Sequence, residues 1–149
     1  MSKAFTNESA ESAPPPERMV EDGPNPVTQE GLRQIEAHVA RIEDALKNEA
    51  NVLLRETLAR DLRYWTVRKA NAEVAPSPPD ATVGFGSTVT IERNGRQQTF
   101  RIVGVDEADA SKGLISFRAP LAHAVLGAKV EEIVEAAEPL GELLIMRIG

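Results

Sequence analysis

Residues 88–105 read TVTIERNGRQQTFRIVGV, and this stretch decides the fold of the C-terminal half of the chain. Apolar and polar residues alternate on both sides of Asn94 and Gly95, and alternation with a period of two is typical of a half-buried strand. An Asn-Gly pair is the strongest short hairpin signal, because both residues of the turn need a positive φ angle. The stretch therefore predicts a β-hairpin.

More short strands follow this hairpin. Apolar runs at 114–117, 130–135 and 143–148 are separated by glycines and polar turns. Pro120 can open a short helix over 121–126, since proline is favoured at the first helical position and Gly127 can end the helix. We predict an α+β fold in which residues 83–149 form a curved antiparallel sheet of about five strands with one short helix.

Residues 27–74 contain no proline and predict an antiparallel coiled-coil helical hairpin. Their apolar residues follow a heptad spacing, the pattern of a coiled-coil seam. The seam breaks at 47–51 and resumes in a second amphipathic stretch, and two such helices can cover each other's apolar stripes by folding back. The seam residues are Leu32, Ile35, Val39, Ile42 and Leu46, and then Leu54, Leu58, Leu62 and Trp65.

Two proline-rich segments flank this hairpin. Residues 1–26 are acidic and rich in proline and hold few large apolar residues, so we expect a disordered tail. Residues 75–82 carry a second proline cluster and are predicted to be a linker.

Composition excludes several classes of function. The 149 residues carry a net charge of −6, which argues against direct, sequence-specific DNA binding through a basic face. There is no cysteine, and the two histidines, His38 and His123, fall in different segments. Asp106, Glu107 and Asp109 are too closely spaced for a calcium loop. We therefore expect no metal, no cofactor and no catalytic residue, hence a protein that is not an enzyme and that acts on a partner.

The localisation expected from the sequence is cytoplasmic. No apolar run approaches the ~20 residues that span a bilayer. The first residues also lack the basic region and apolar stretch of a signal peptide. We expect no membrane association.

The C-terminal half resembles the C-terminal domain of bacterial Gre transcription factors, the GreA/GreB family. The resemblance is carried by TFRIVGVDEAD at 99–109, GLIS at 113–116, PLA at 120–122 and LG at 126–127. Shorter matches are FGSTV at 85–89, VTQEG at 27–31 and ANAEV at 70–74. The parts occur in the family's order from residue 27 to residue 149.

This resemblance implies a coiled-coil hairpin followed by an FKBP-like domain that docks on the rim of the RNA polymerase secondary channel. In the family, the hairpin enters the channel, and acidic residues at its tip, in the motif DLSENAEY, help to hold a catalytic magnesium ion while the polymerase cleaves backtracked RNA. The partner implied for this chain is RNA polymerase. The contact residues implied are Arg118, Ala119, Pro120 and Leu121.

The chain departs from the family at the hairpin tip. The break between the helices reads KNEAN at 47–51, where Glu49 is the sole acid, and the arms of the hairpin are shorter. One carboxylate holds a divalent ion less well than two. We therefore predict a Gre-like factor that modulates elongation or the rescue of backtracked complexes, with weak or no stimulation of cleavage. The alternative is a stand-alone interaction module that dimerises through the hairpin. A prolyl isomerase is less favoured, because few aromatic residues are available to build a proline pocket.

Overall fold

A computed structural model describes residues 13–149, and the predicted disorder of residues 1–12 lies outside this range. The chain divides into two compact units. One contains residues 34–71 and the described residues before Asn25. The other contains residues 25–33 and 72–149.

The second unit is built on a five-stranded sheet. Its strands are β3 (Thr88–Arg93), β4 (Arg96–Val103), β5 (Leu114–Ser116), β6 (Ile133–Ala136) and β7 (Gly141–Ile148). They lie in the order β5-β4-β3-β7-β6. A short helix, α3 (Pro120–Val125), follows β5, and the predicted set of five strands and one helix is confirmed.

The predicted turn between β3 and β4 is confirmed. Arg93 pairs with Arg96, which leaves Asn94 and Gly95 as a two-residue loop. Both loop residues have positive φ angles, 53° and 75°. A two-residue loop of this kind fits the right-handed twist of the strands it joins.

The sheet is mixed, whereas the sequence predicted an antiparallel one. β4 and β5 pair in parallel, with Ile102 opposite Ile115. The connection between them contains two short 3₁₀ turns, Val105–Glu107 and Ala110–Lys112, and carries the chain back before β5 begins. Alternation within a strand is the same in both orientations, so periodicity could not reveal this direction.

The core of this unit lies between the sheet and α3. The side chains of Ile91, Phe100, Ile102 and Ile145 are almost fully buried on the sheet. Ala122 and Val125 of α3 are buried in the same cluster. The alternating apolar positions of β3 and β4 thus all face one core.

The helical hairpin consists of α1 (Gln29–Asn48) and α2 (Val52–Ala70), with the break where the sequence predicts it. Ile35, Val39 and Ile42 of the α1 seam are buried. In α2 the buried residues are Trp65 and Arg68. The Trp65 ring stacks on His38 of α1 with 4.1 Å between centroids, so the two helices pack most closely towards the C-terminal end of α2.

A two-stranded parallel sheet, which the sequence analysis did not predict, belongs to the second unit. It pairs β1 (Asn25–Val27) with β2 (Ala72–Val74). The amide of Ala75 extends the pairing by donating to the Val27 carbonyl at 2.9 Å. Asn25 and Pro26, which the sequence assigns to the tail, therefore lie in a strand. The sequence could not indicate this strand, because three residues are too few to show a periodicity.

Residues 13–24, named here the strap, contact α2 within the first unit. The Arg18 guanidinium lies 3.7 Å from the centroid of the Tyr64 ring and bonds Asp61 at 3.4 Å. Glu17 accepts hydrogen bonds from both Nε and Nη2 of Arg63. Among the described helices, none is long and apolar enough to cross a membrane.

Candidate functional site

The loop before α3, residues 118–121, opens on a groove of the second unit. The groove has a volume of about 640 Å³. Arg118, Pro120 and His123 line one wall, and residues 135–140, from the end of β6 and the turn that follows it, line the other. The groove mixes apolar surface from prolines, alanines and Leu140 with charges of both signs, which is the composition of a protein-contact surface.

Hydrogen bonds fix the shape of this loop. Ser116 anchors it, because its carbonyl accepts from the Ala119 amide at 2.9 Å and its Oγ accepts from the Arg118 amide at 3.1 Å. Ala119 takes an extended conformation at the N-cap, and Pro120 then starts the helix. The Arg118 guanidinium lies 5.3 Å from the centroid of the Phe117 ring.

The four residues implied by the resemblance have unequal exposure. Arg118 and Pro120 are exposed and line the groove. Ala119 is partly exposed and caps the helix. Leu121 is partly buried and packs against the core cluster. The structure thus brings two of the four side chains together on one surface.

The hairpin tip carries Glu49, but the Glu49 side chain takes part in the turn. Its Oε2 accepts from the Asn51 amide at 3.2 Å. Asn51 in turn caps α2, because its Oδ1 accepts from the Leu54 amide at 3.0 Å. Nη1 of Arg55 donates to the carbonyls of Leu46 at 2.6 Å and Glu49 at 2.8 Å. A cation therefore lies beside the one acid of the tip.

The rest of the tip is apolar and exposed. Val52 is 71% exposed, Leu53 39% and Leu54 51%. A shallow hollow next to them is lined by Leu46, Val52, Arg55, Glu56 and Ala59. Within residues 13–149, no three carboxylate or histidine side chains gather closely enough to hold a metal ion.

A buried carboxylate from the group of closely spaced acids at 106–109 joins two distant parts of the second unit. Glu107 is 8% exposed. Its Oε2 accepts from the amides of Thr28 and Gly104, both at 3.0 Å. Its Oε1 accepts from the Thr28 hydroxyl. Thr28 directly precedes α1, and its Oγ1 accepts from the Gly31 amide at 3.0 Å.

Two glycines leave space for this carboxylate. A Cβ atom at Gly31 would lie 2.2 Å from the Glu107 carboxyl carbon. A Cβ atom at Gly104 would lie 2.6 Å from the Pro26 carbonyl oxygen and 2.9 Å from Glu107 Oε2.

The nearby acid Asp109 makes hydrogen bonds of its own. The side chain of Asp109 instead caps the second 3₁₀ turn, since its Oδ1 accepts from the amide and the hydroxyl of Ser111 at 3.0 and 2.6 Å. Hydrogen bonding to the Ser111 side chain holds the pKa of Asp109 below its ordinary value. Glu107 and Asp109 therefore both accept hydrogen bonds from backbone amides.

Comparison with known proteins identifies relatives of the C-terminal half most clearly. A family model described as "Transcription elongation factor, GreA/GreB, C-term" matches residues 78–148. The transcription elongation factor GreA of Novosphingobium aromaticivorans is 33% identical over 110 residues, which cover 73% of this chain and 56% of that protein. GreA of Thermomicrobium roseum is 43% identical over 75 residues, 48% of each chain. The chain thus spans about half the length of the curated relatives it matches.

Solved structures of Gre-type factors are more distant. Gfh1, a GreA factor homolog of Thermus thermophilus, matches with a TM-score of 0.41 and 16% identity, over 85% of this chain and 99% of that one. A GreA/GreB factor of Nitrosomonas europaea matches with a TM-score of 0.41 and 21% identity, over 85% of this chain and 98% of that one.

Proposed function

We propose, from the match of residues 78–148 to the GreA/GreB C-terminal model and from the GreA relatives, that the chain is a Gre-type transcription elongation factor. It binds RNA polymerase at the rim of the secondary channel and modulates elongation with weak or no stimulation of RNA cleavage. Its C-terminal unit supplies the docking surface. Its hairpin occupies the channel without completing a metal site. The protein acts on the polymerase and carries no active site of its own.

The loop at 118–121 supports the docking part of this proposal. Arg118 and Pro120 are exposed at the edge of a groove, and the backbone of the loop is held by Ser116. A loop that is already rigid loses little conformational entropy on binding, so its contacts contribute more fully to affinity. An exposed arginine is also suited to pairing with carboxylates of a partner.

The hairpin tip is the observation that carries the proposal of weak or absent cleavage. A second magnesium ion would need several oxygen ligands that converge on it. The tip offers Glu49, whose carboxylate accepts from the Asn51 amide, and Arg55 lies at the same turn. A guanidinium bonded to the backbone carbonyl of Glu49 adds positive charge at this turn, and like charge opposes the approach of a divalent cation.

Reversal of one charge tests the docking part. Arg118→Glu should weaken binding of the full chain to core RNA polymerase about tenfold, which corresponds to ~1.4 kcal/mol. Arg96→Glu makes the same charge change at an exposed position in the β3–β4 turn and should bind like wild type. Affinity is measured by fluorescence anisotropy of labelled protein. Equal affinity of wild type and Arg118→Glu would remove the loop from the contact.

The exposed leucines at the tip favour a second candidate, the interaction module that dimerises through its hairpin. Val52, Leu53 and Leu54 are consecutive apolar residues with large exposure. Association through them would give a dimer in analytical ultracentrifugation that Leu54→Lys returns to a monomer. A wild-type monomer at all concentrations would discard this candidate.

A further inference from the structure

The start of helix α1 lacks half of the usual capping arrangement. The first amides of any α-helix have no partner within the helix. In a capping box the N-cap side chain accepts from the amide of the third residue, and a Glu at that third position accepts from the N-cap amide. In α1 the N-cap is Thr28 and the third residue is Gly31, which has no side chain to reach back.

Glu107 supplies the missing half from a position 79 residues along the chain. Its Oε2 lies 3.0 Å from the Thr28 amide, the group that a Glu at position 31 would have bound. Its other oxygen accepts from the Thr28 hydroxyl, which leaves a lone pair of that hydroxyl directed at the Gly31 amide. A carboxylate at this end of a helix also interacts favourably with the helix dipole.

The surrounding residues are fitted to this arrangement. Gly31 and Gly104 leave the space that the carboxylate fills, and the Gly104 amide donates to the same oxygen as Thr28. No buried side-chain nitrogen or oxygen in the described part of the chain lacks a hydrogen-bond partner, and both carboxylate oxygens of Glu107 accept hydrogen bonds. Removal of this carboxylate would leave its three hydrogen-bond donors without their acceptor, and unsatisfied buried donors destabilise the folded protein.

We propose that Glu107 is a positioning residue that completes the capping box of α1 from the sheet unit and so fixes the first turn of the hairpin. The effect of this residue on transcription rests on the channel function proposed above. Residues 25–33, which contain this first turn, belong to the compact unit that also carries the loop at 118–121. The hairpin therefore starts from a turn that is held by the docking unit. Loss of the carboxylate frees that turn and leaves the docking surface in place.

Glu107→Ala in the full chain tests both parts. Amide hydrogen exchange of Gly31 and Leu32 should become about tenfold faster, since the cap no longer holds the turn. Affinity for core RNA polymerase should stay within about twofold of wild type, because the loop at 118–121 is untouched. Inhibition of a GreA cleavage factor on a backtracked complex should fall, because the first turn of α1 is no longer fixed by the carboxylate. If Glu107→Ala only destabilised the protein, affinity and inhibition would fall together.

Three further proteins control this experiment. Glu107→Gln keeps the shape and one acceptor oxygen, so its exchange rate and its inhibition should lie between wild type and Glu107→Ala. Glu36→Ala removes an exposed carboxylate from α1 and should match wild type in every measurement. Gly31→Ala, with Glu107 intact, should reproduce the faster exchange of Glu107→Ala.

The outcomes separate the cap from the channel function. Unchanged exchange in Glu107→Ala would overturn the cap itself. Faster exchange with unchanged inhibition would overturn the positioning role. If wild type binds no polymerase, the positioning role falls with the proposed function, and the exchange data still decide the cap.

Discussion

At Gly31 the usual preference of helices for alanine over glycine should be reversed. Gly→Ala inside a helix ordinarily stabilises a protein by up to about 1 kcal/mol. Here the new methyl group would lie 2.2 Å from the Glu107 carboxyl carbon, in a buried site. Gly31→Ala should instead lower the free energy of unfolding by about 1–3 kcal/mol, the usual cost of overpacking. Urea denaturation measures it.

Ala40→Gly on the same helix provides the matched comparison. Ala40 is exposed, so this change should cost about 1 kcal/mol through helix propensity alone. If Gly31→Ala and Ala40→Gly both destabilise the protein, helix propensity cannot explain the effect at Gly31, and the contact with Glu107 does. A Gly31→Ala protein more stable than wild type would show that the carboxylate does not occupy this space.

Single residues also show where the sequence was sufficient and where it was not. The turn at Asn94 and Gly95 was predictable because two neighbouring residues with positive φ define it locally. The contact of Glu107 with α1 was not predictable, because Thr28 lies 79 residues away and hydrogen bonds of that range leave no local pattern. The exposure of the loop residues Arg118 and Pro120 followed from a family motif, not from periodicity.

At the scale of elements, the contact of Glu17 in the strap with Arg63 of α2 should weaken in acid. The hydrogen bonds from Arg63 hold the pKa of Glu17 below its ordinary value. A carboxylate whose pKa is lowered by its contact stabilises that contact above its free pKa and loses it as the pH falls through the lowered value. The pair is exposed, so added salt should also weaken the contact.

Trp65 is the one tryptophan of the chain, and Arg18 of the strap lies 5.5 Å from its ring. Its fluorescence between pH 5.5 and pH 3 should therefore show a transition in wild type that is absent from Glu17→Gln. The difference between the two titrations isolates the strap, with circular dichroism confirming that the helices persist. Identical titrations would mean that Glu17 does not hold the strap.

The helices and strands of ordinary length were predictable from periodicity, and the shortest elements were not. The α1 seam and the alternation of β3 and β4 each extend over several turns or residue pairs, so their burial could be deduced in advance. The strands β1, β2 and β5 have three residues each, and all of them pair in parallel. Parallel pairing is set by the path of the connecting chain, which short apolar runs do not encode.

The α2 helix differs most from its sequence pattern. Its heptad leucines predicted a buried stripe that matches α1, yet Leu54 is 51% exposed, and burial is concentrated at Trp65 and Arg68. The aromatic stack of Trp65 on His38 anchors the helix near that end. The first turn of α2 is consequently left as an apolar tip.

At the scale of the whole molecule, the resemblance to Gre factors followed from motifs in residues 99–127, whereas the consequence of the altered tip depends on structure. The sequence showed that the acidic motif is missing and that Glu49 stands alone. The hydrogen bonds of Glu49 and Arg55 give the physical reason, because the remaining acid is engaged in the turn and a cation lies beside it. Under the proposed function, both features would give a factor that occupies the channel and competes with cleavage factors.

RNA cleavage in a purified backtracked elongation complex tests this account most directly. Wild-type protein and Glu49→Ala should both leave cleavage at the polymerase's own rate, and both should slow the cleavage stimulated by an added GreA factor. The reason is that docking is retained while the tip delivers no ligand set for a second metal ion. Strong cleavage by wild type that disappears in Glu49→Ala would contradict the account and would make Glu49 a metal ligand.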